Sequence, residues 1–175
     1  MKPLNKHKRN ILLTGFMGAG KSTVGALLAE NLDCHLVDLD QLIVARAGCS
    51  IRTIFDHNGE NVFRDLETAI LKTLEGNNGL VVATGGGIVG RPENWQEMRR
   101  LGTVIYLQVP WTILHHRIAD DETRPLAAQG DEGEQLHRLW ESRLPLYEQA
   151  DLIIDCQDDS PEKIVQRILL AMEKV

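Results

Sequence analysis

The densest chemical signal in the sequence is Gly15-Phe16-Met17-Gly18-Ala19-Gly20-Lys21-Ser22-Thr23, which matches GxxxxGK[ST] without a gap. Glycines at 18 and 20 let the backbone curl so that successive N–H groups face an anion. A helix starting there adds the partial positive charge of its N-terminus. Lys21 is placed to reach the β and γ phosphates of a nucleoside triphosphate, and the Ser22 hydroxyl to ligate Mg²⁺. A dinucleotide fingerprint does not fit, because its glycines are spaced differently and Lys21 follows directly. The motif names a phosphoryl donor and leaves the acceptor open.

Candidate acceptor residues lie further along. Val37-Asp38-Leu39-Asp40 closes an apolar run. On a strand the two carboxylates point the same way. Asp38 would then hold a metal-bound water beside Ser22, and Asp40 would orient an acceptor hydroxyl and receive its proton. The plainer reading is a helix cap plus a turn charge. Arg64, in Phe63-Arg64-Asp65-Leu66-Glu67, and Arg143, in Ser142-Arg143-Leu144-Pro145-Leu146-Tyr147, carry forks suited to carboxylates. Alone, each reads as a solvated helix arginine. Converging near Asp40, they would describe an acceptor with both a carboxylate and a hydroxyl. Thr84-Gly85-Gly86-Gly87 permits close backbone approach to a ligand. Arg124, in Arg124-Pro125-Leu126, is placed to swing over a transferring phosphoryl group, and Arg117 to stack on a nucleobase.

These residues need a frame. Apolar runs predict strands at 10–14, 35–38, 80–83, 103–107 and 152–155. Helical spacing follows Lys21 and recurs at 40–47, 60–75, 92–101, 111–118 and 136–147. Ser50 caps a short helix through Phe55 that Asn58-Gly59 breaks, and Ser160-Pro161-Glu162 starts the last helix. Residues 120–132 are polar and read as a loop. Strands alternating with helices predict a five-stranded parallel sheet with helices on both faces. Such sheets bind ligands beyond the carboxyl ends of their strands, where every motif above falls.

Composition narrows the class. The chain has 175 residues, 43% hydrophobic and 25% charged, which suits one soluble domain spanning 1–175. A net charge of −6 disfavours nonspecific nucleic-acid binding. No segment is long and apolar enough for a membrane span, and the basic stretch 1–9 reads as a frayed leader and not a signal peptide. Three cysteines, Cys34, Cys49 and Cys156, without CxxC spacing point to a reducing cytoplasm. A monomer is the default expectation.

Taken in order, GFMGAGKST, VDLD, the FRDLE arginine, TGGG, TRPL, SRLPLY and IIDC before a late Ser-Pro resemble the shikimate kinases, a family of P-loop small-molecule kinases. The likeness runs from about Asn10 to Lys174. It implies the P-loop kinase fold with a mobile lid at about 120–132. It also implies phosphorylation of the 3-hydroxyl of shikimate by MgATP, on the chorismate route to aromatic amino acids. Carried over by motif, Gly18, Ala19, Gly20, Lys21, Ser22 and Thr23 bind the ATP phosphates, while Ser22 and Asp38 serve the metal. Asp40, Arg64, Gly86 and Arg143 bind shikimate, and Arg124 is the lid arginine on ATP. Lys21, Asp40 and Arg124 are the expected catalytic groups. Glu67 holds a substrate-side arginine, and Phe55, Phe63, Pro125 and Leu126 wall the pocket. Arg117 and Asp159 are assigned to the nucleotide, although acids in Gln157-Asp158-Asp159 depart from the basic or amide-rich stretch expected there.

Two other readings compete. One is a related kinase for another hydroxylated carboxylic acid, such as gluconate. The other is a nucleotide-binding module without transfer chemistry.

Overall fold

Every strand of the sheet runs parallel, in the order β2-β3-β1-β4-β5. This computed structural model describes residues 9–119 and 131–174. Most of the expected leader of 1–9 (residues 1–8) and most of the expected lid of about 120–132 (residues 120–130, with Arg124, Pro125 and Leu126) lie outside the described residues. In chain order the elements are β1 (Asn10–Thr14), α1 (Lys21–Leu32), β2 (His35–Asp38), α2 (Leu39–Ala47), α3 (Ile51–Thr73) and β3 (Leu80–Ala83). A 3₁₀ turn (Ile88–Gly90) precedes α4 (Pro92–Leu101), β4 (Gly102–Gln108), α5 (Trp111–Ala119), α6 (Asp131–Tyr147), β5 (Leu152–Asp155) and α7 (Pro161–Met172).

The central strand β1 is buried at every position, in register with β3 (Leu13 opposite Ala83) and β4 (Thr14 opposite Tyr106). Leu12, Leu13, Val81, Ile105 and Leu107 are sealed from solvent and form the middle of the core. Each such side chain contributes about 1.5–3 kcal/mol by burial. The edge strands β2 and β5 are half exposed.

Chain order gives β1 one neighbour from the outward winding and one from the return, which is the switch point where such sheets open a crevice. The loops leaving β1 and β3 therefore sit side by side. Thr84 joins them by donating its backbone N–H and its hydroxyl to the Leu13 carbonyl, at 3.2 and 2.9 Å.

Two expectations need correction. Strand β2 stops at Asp38 and α2 begins at Leu39, so Asp40 sits in the first turn of a helix and not on a strand. The cause is the Asp38 side chain, whose Oδ1 accepts from the N–H groups of Asp40 (3.0 Å) and Gln41 (3.3 Å) as an N-cap. Ser50 caps α3 through Thr53 N–H (3.1 Å) as read, and Gly59, at φ 80 and ψ 170, interrupts the helical backbone where the sequence reading broke it, so α3 is two helical segments joined at that residue. Finally, Asp131 and Glu132, placed in the loop by their polarity, open α6.

Candidate active site

Gly15, Gly18 and Gly20 take positive φ (147, 78 and 84), and Gly20 is the N-cap of α1. These conformations are strained for any residue with a side chain, so the glycines shape the loop. Helix α5 packs directly beneath: a Cβ on Gly18 would stand 3.3 Å from Ile118 Cγ1. Lys21 Nζ donates to the loop's own carbonyls, Gly15 O at 2.8 Å and Phe16 O at 3.0 Å. Ser22 Oγ donates to Asp38 Oδ2 at 2.6 Å. Asp38 thus caps α2 with one oxygen, as the plainer reading has it, and turns the other to Ser22. A hydroxyl and a carboxylate oxygen side by side at a helix N-terminus are the hard donors that Mg²⁺ takes.

Across the crevice the TGGG loop leans on the phosphate loop. A Cβ on Gly86 would lie 3.3 Å from Met17 N and 3.4 Å from Gly15 O. A Cβ on Gly85 would meet Glu67 Oε1 and lie 3.1 Å from Asp40 Oδ1. One on Gly87 would overlap the Arg64 guanidinium. The three glycines are the floor on which Asp40, Glu67 and Arg64 rest.

Helix α3 delivers Arg64 and Glu67 from one face, three residues apart. A buried network fixes that face: Thr68 Oγ1 donates to Asn94 Oδ1 (2.9 Å), and Asn94 Nδ2 donates to Ile88 O (2.9 Å). Arg91 adds a bond to Asp65 at 2.7 Å. Arg64 Nη1 meets Glu67 Oε2 at 2.5 Å, while its Nε and Nη2 take Glu60 Oε1 at 3.1 and 2.9 Å. Its guanidinium stands 5.1 Å from the centre of the buried Phe63 ring, which in turn packs on the more exposed Phe55 at 4.8 Å. Burial works against the charge of Arg64, but Glu67 and Glu60 outweigh it and hold the guanidinium more firmly protonated. Glu67 is fully buried, and burial raises its carboxyl above the ordinary carboxylate value, with Arg64 pulling it back and Asp40 pushing it up.

Arg143 arrives from α6 on the same spot. Its Nη1 reaches Gly86 O at 3.4 Å, and its Cζ lies 5.8 Å from the Phe16 ring centre. Arg143 also acts electrostatically on Glu67. The predicted convergence of Arg64, Arg143, Asp40 and Gly86 beside the phosphate loop is therefore the observed arrangement. On the far side of that loop, Arg117 Nη1 donates to Gly18 O (3.3 Å) and its Nη2 faces Asp158 Oδ1 (3.7 Å). Asp159 turns its carboxylate to Arg167 (2.6 Å) and Lys163 (3.6 Å). Among the described residues no group of three metal-ligating side chains occurs. Two contacts were not read from sequence. Glu60 sits four residues before Arg64, a helical spacing that could have revealed it. Tyr147 sits four after Arg143 and donates its hydroxyl to Gly86 O at 2.5 Å.

Residues 17–173 match the family described as shikimate kinase. The chain belongs to the shikimate kinase family. The shikimate kinase of Synechococcus sp. (strain RCC307) is 49% identical over 161 residues, covering 91% of this chain and 82% of that one. The solved shikimate kinase from Acinetobacter baumannii in complex with shikimate is 36% identical, with a TM-score of 0.88 over 95% of this chain and 93% of its own. A gluconokinase from Sinorhizobium meliloti shares only the fold, at 16% identity and a TM-score of 0.64 over 97% of this chain and 94% of its own.

The Arg64–Glu67 pair yields a pH-resolved expectation. With Arg64→Met, burial acts on Glu67 opposed only by the weaker pull of Arg143. An acid whose folded pKa lies above its unfolded value, ordinarily 4.5, adds stability below that value and loses it as pH rises through the folded pKa. Breaking the pair costs about 3 kcal/mol at pH 8. The loss measured by urea unfolding is smaller at pH 5 than at pH 8; equal losses at both would contradict the account.

Proposed function

We propose that this protein transfers the γ-phosphoryl group of ATP to the 3-hydroxyl of shikimate, giving shikimate 3-phosphate for aromatic amino-acid biosynthesis. Family membership supports a kinase acting on shikimate, and one observation carries the assignment to these residues. Two guanidinium groups, a carboxylate and a glycine floor converge within reach of the phosphate loop. Arg64 and Arg143 suit the acceptor's carboxylate, and Asp40 suits its hydroxyl.

In this reading the amides of residues 18–23 and the ammonium of Lys21 hold the triphosphate. Ser22 and Asp38 would hold Mg²⁺, which when bound would offset the negative charge of the triphosphate. Asp40 orients the attacking hydroxyl and accepts its proton as the new O–P bond forms. Arg64 and Arg143 lock the ring of the acid in one orientation, so the reaction becomes a matter of placement and charge. Arg117 and the backbone near Asp159 face the nucleotide base. Arg124 completes the donor side from the lid. The three free cysteines suit a reducing cytoplasm, and a monomer suffices, since the named groups come from one chain. No helix among the described residues is long and apolar enough to cross a membrane.

The test is ADP release across a panel of hydroxylated carboxylic acids. ADP released with shikimate and not with gluconate supports the assignment. Tight nucleotide binding with no turnover on any acid would favour a binding module. Arg143→Ala raises the shikimate KM about 30- to 100-fold, the worth of a charge-assisted fork, with the ATP KM unchanged. An equal rise in both constants would place Arg143 elsewhere.

A further inference from the structure

Tyr147 ends α6 fully buried, with its ring stacked on Tyr106 at 5.0 Å and 15°. Its hydroxyl donates to Gly86 O at 2.5 Å, whereas Arg143, one helical turn earlier on the same face, reaches that carbonyl only at 3.4 Å. One oxygen is thus shared between a short, well-made bond and a long one. Gly86 is hemmed in on its other side: a Cβ added to it would stand only 3.3 Å from Met17 N and 3.4 Å from Gly15 O of the phosphate loop.

We propose that Tyr147 is a positioning residue of the acceptor site. Its hydroxyl satisfies the Gly86 carbonyl and so leaves the Arg143 guanidinium to the acceptor's carboxylate. The inference rests on the acceptor assignment above and deepens it. Burial holds the phenol far above its ordinary pKa, with the Arg143 charge and its hydrogen bond to the phenol pulling back, so the hydroxyl remains a donor throughout the working pH range. Without that hydroxyl the carbonyl would be an under-satisfied acceptor in a largely buried wall, costing about 1–3 kcal/mol. Arg143 is the other donor already in reach. Drawn onto the carbonyl, it would present fewer N–H groups to an organic acid. Pro145 lies between the two residues in α6 and takes nothing from their shared face.

The experiment is steady-state kinetics on the wild type, Tyr147→Phe, Arg143→Ala and the double variant, with Tyr106→Phe as a control. Phenylalanine keeps the ring stack and removes only the hydroxyl. Tyr147→Phe is expected to raise the shikimate KM about 5- to 20-fold, the worth of one to two hydrogen bonds. The kcat stays within about twofold and the ATP KM is unchanged. The double variant is expected to be no worse than Arg143→Ala alone, because the two residues act through one contact. Shikimate methyl ester, which lacks the anionic carboxylate, should be handled alike by the wild type and Tyr147→Phe. An unchanged shikimate KM, a parallel rise for ATP, a multiplicative loss in the double variant, or an equal penalty on the ester would each overturn the proposal.

Absence of wild-type turnover on shikimate sinks the functional reading and this one with it. A normal wild type beside an unaltered Tyr147→Phe sinks this one alone. Should Tyr147→Phe not fold, the chain's two tyrosines allow labelling with 3-fluorotyrosine, with Tyr106→Phe assigning the signals. Shikimate then moves the Tyr147 fluorine resonance while ADP leaves it in place. No movement with shikimate would overturn the proposal equally.

Discussion

Replacing Asp40 by Asn is expected to cut kcat about 10³-fold while changing the shikimate KM only a few-fold, a general-base loss within the usual 10²–10⁴ range. The substitution isolates the base because the fold does not depend on this carboxylate. The cap of α2 is made by the Asp38 side chain to the backbone N–H of Asp40, which Asn retains. The amide also keeps the shape that packs against Gly85, where the Asp40 oxygen and Glu67 Oε1 both stand over the glycine. What disappears is the capacity to take a proton from the hydroxyl as it attacks. Initial-rate kinetics with saturating ATP measure it. Turnover near the wild-type level would remove Asp40 from the proton's path.

Lys21→Met is expected to have a comparable effect, about 10³-fold in kcat, at the upper end of what removing one preorganised electrostatic donor costs. The ammonium is held over the phosphate loop by Gly15 O and Phe16 O, so its position is set before any ligand arrives. Methionine matches the length of the stem and deletes the charge. The loop amides and the α1 N-terminus remain, so the ATP KM rises less than about tenfold and the defect appears in kcat. A variant that lost ATP affinity but kept its kcat would mean that Lys21 binds the ground state alone.

The sequence made the sheet and most of the site legible for identifiable reasons. Strands such as 10–14 and 80–83 are apolar runs cut by glycines, and α4 is bracketed by Pro92 and Gly102, so local signals sufficed. The Asp38-Leu39-Asp40 step was misjudged because capping by Asp38 ends the strand, and a capping side chain competes with alternation over too few residues for periodicity to decide. The start of α6 was hidden because Asp131-Glu132-Gly133-Glu134 has no apolar face to reveal its first turn. The exposure of β2 and β5 depends on strand order, which a linear pattern does not encode. The Arg64–Glu60 contact was within reach of helical spacing. The Tyr147 bond to Gly86 was not, since it joins two segments 61 residues apart.

The winding of the sheet has an evolutionary corollary. The loop that holds the donor leaves β1, whereas Asp40, Arg64 and Glu67 all arrive on the single excursion between β2 and β3, residues 39–79. That excursion can be exchanged as a cassette, because its two anchoring strands already pair with one another at His35–Asp38 and Leu80–Ala83. A lineage could thus acquire a new alcohol to modify by rewriting one insertion while its nucleotide machinery is inherited intact.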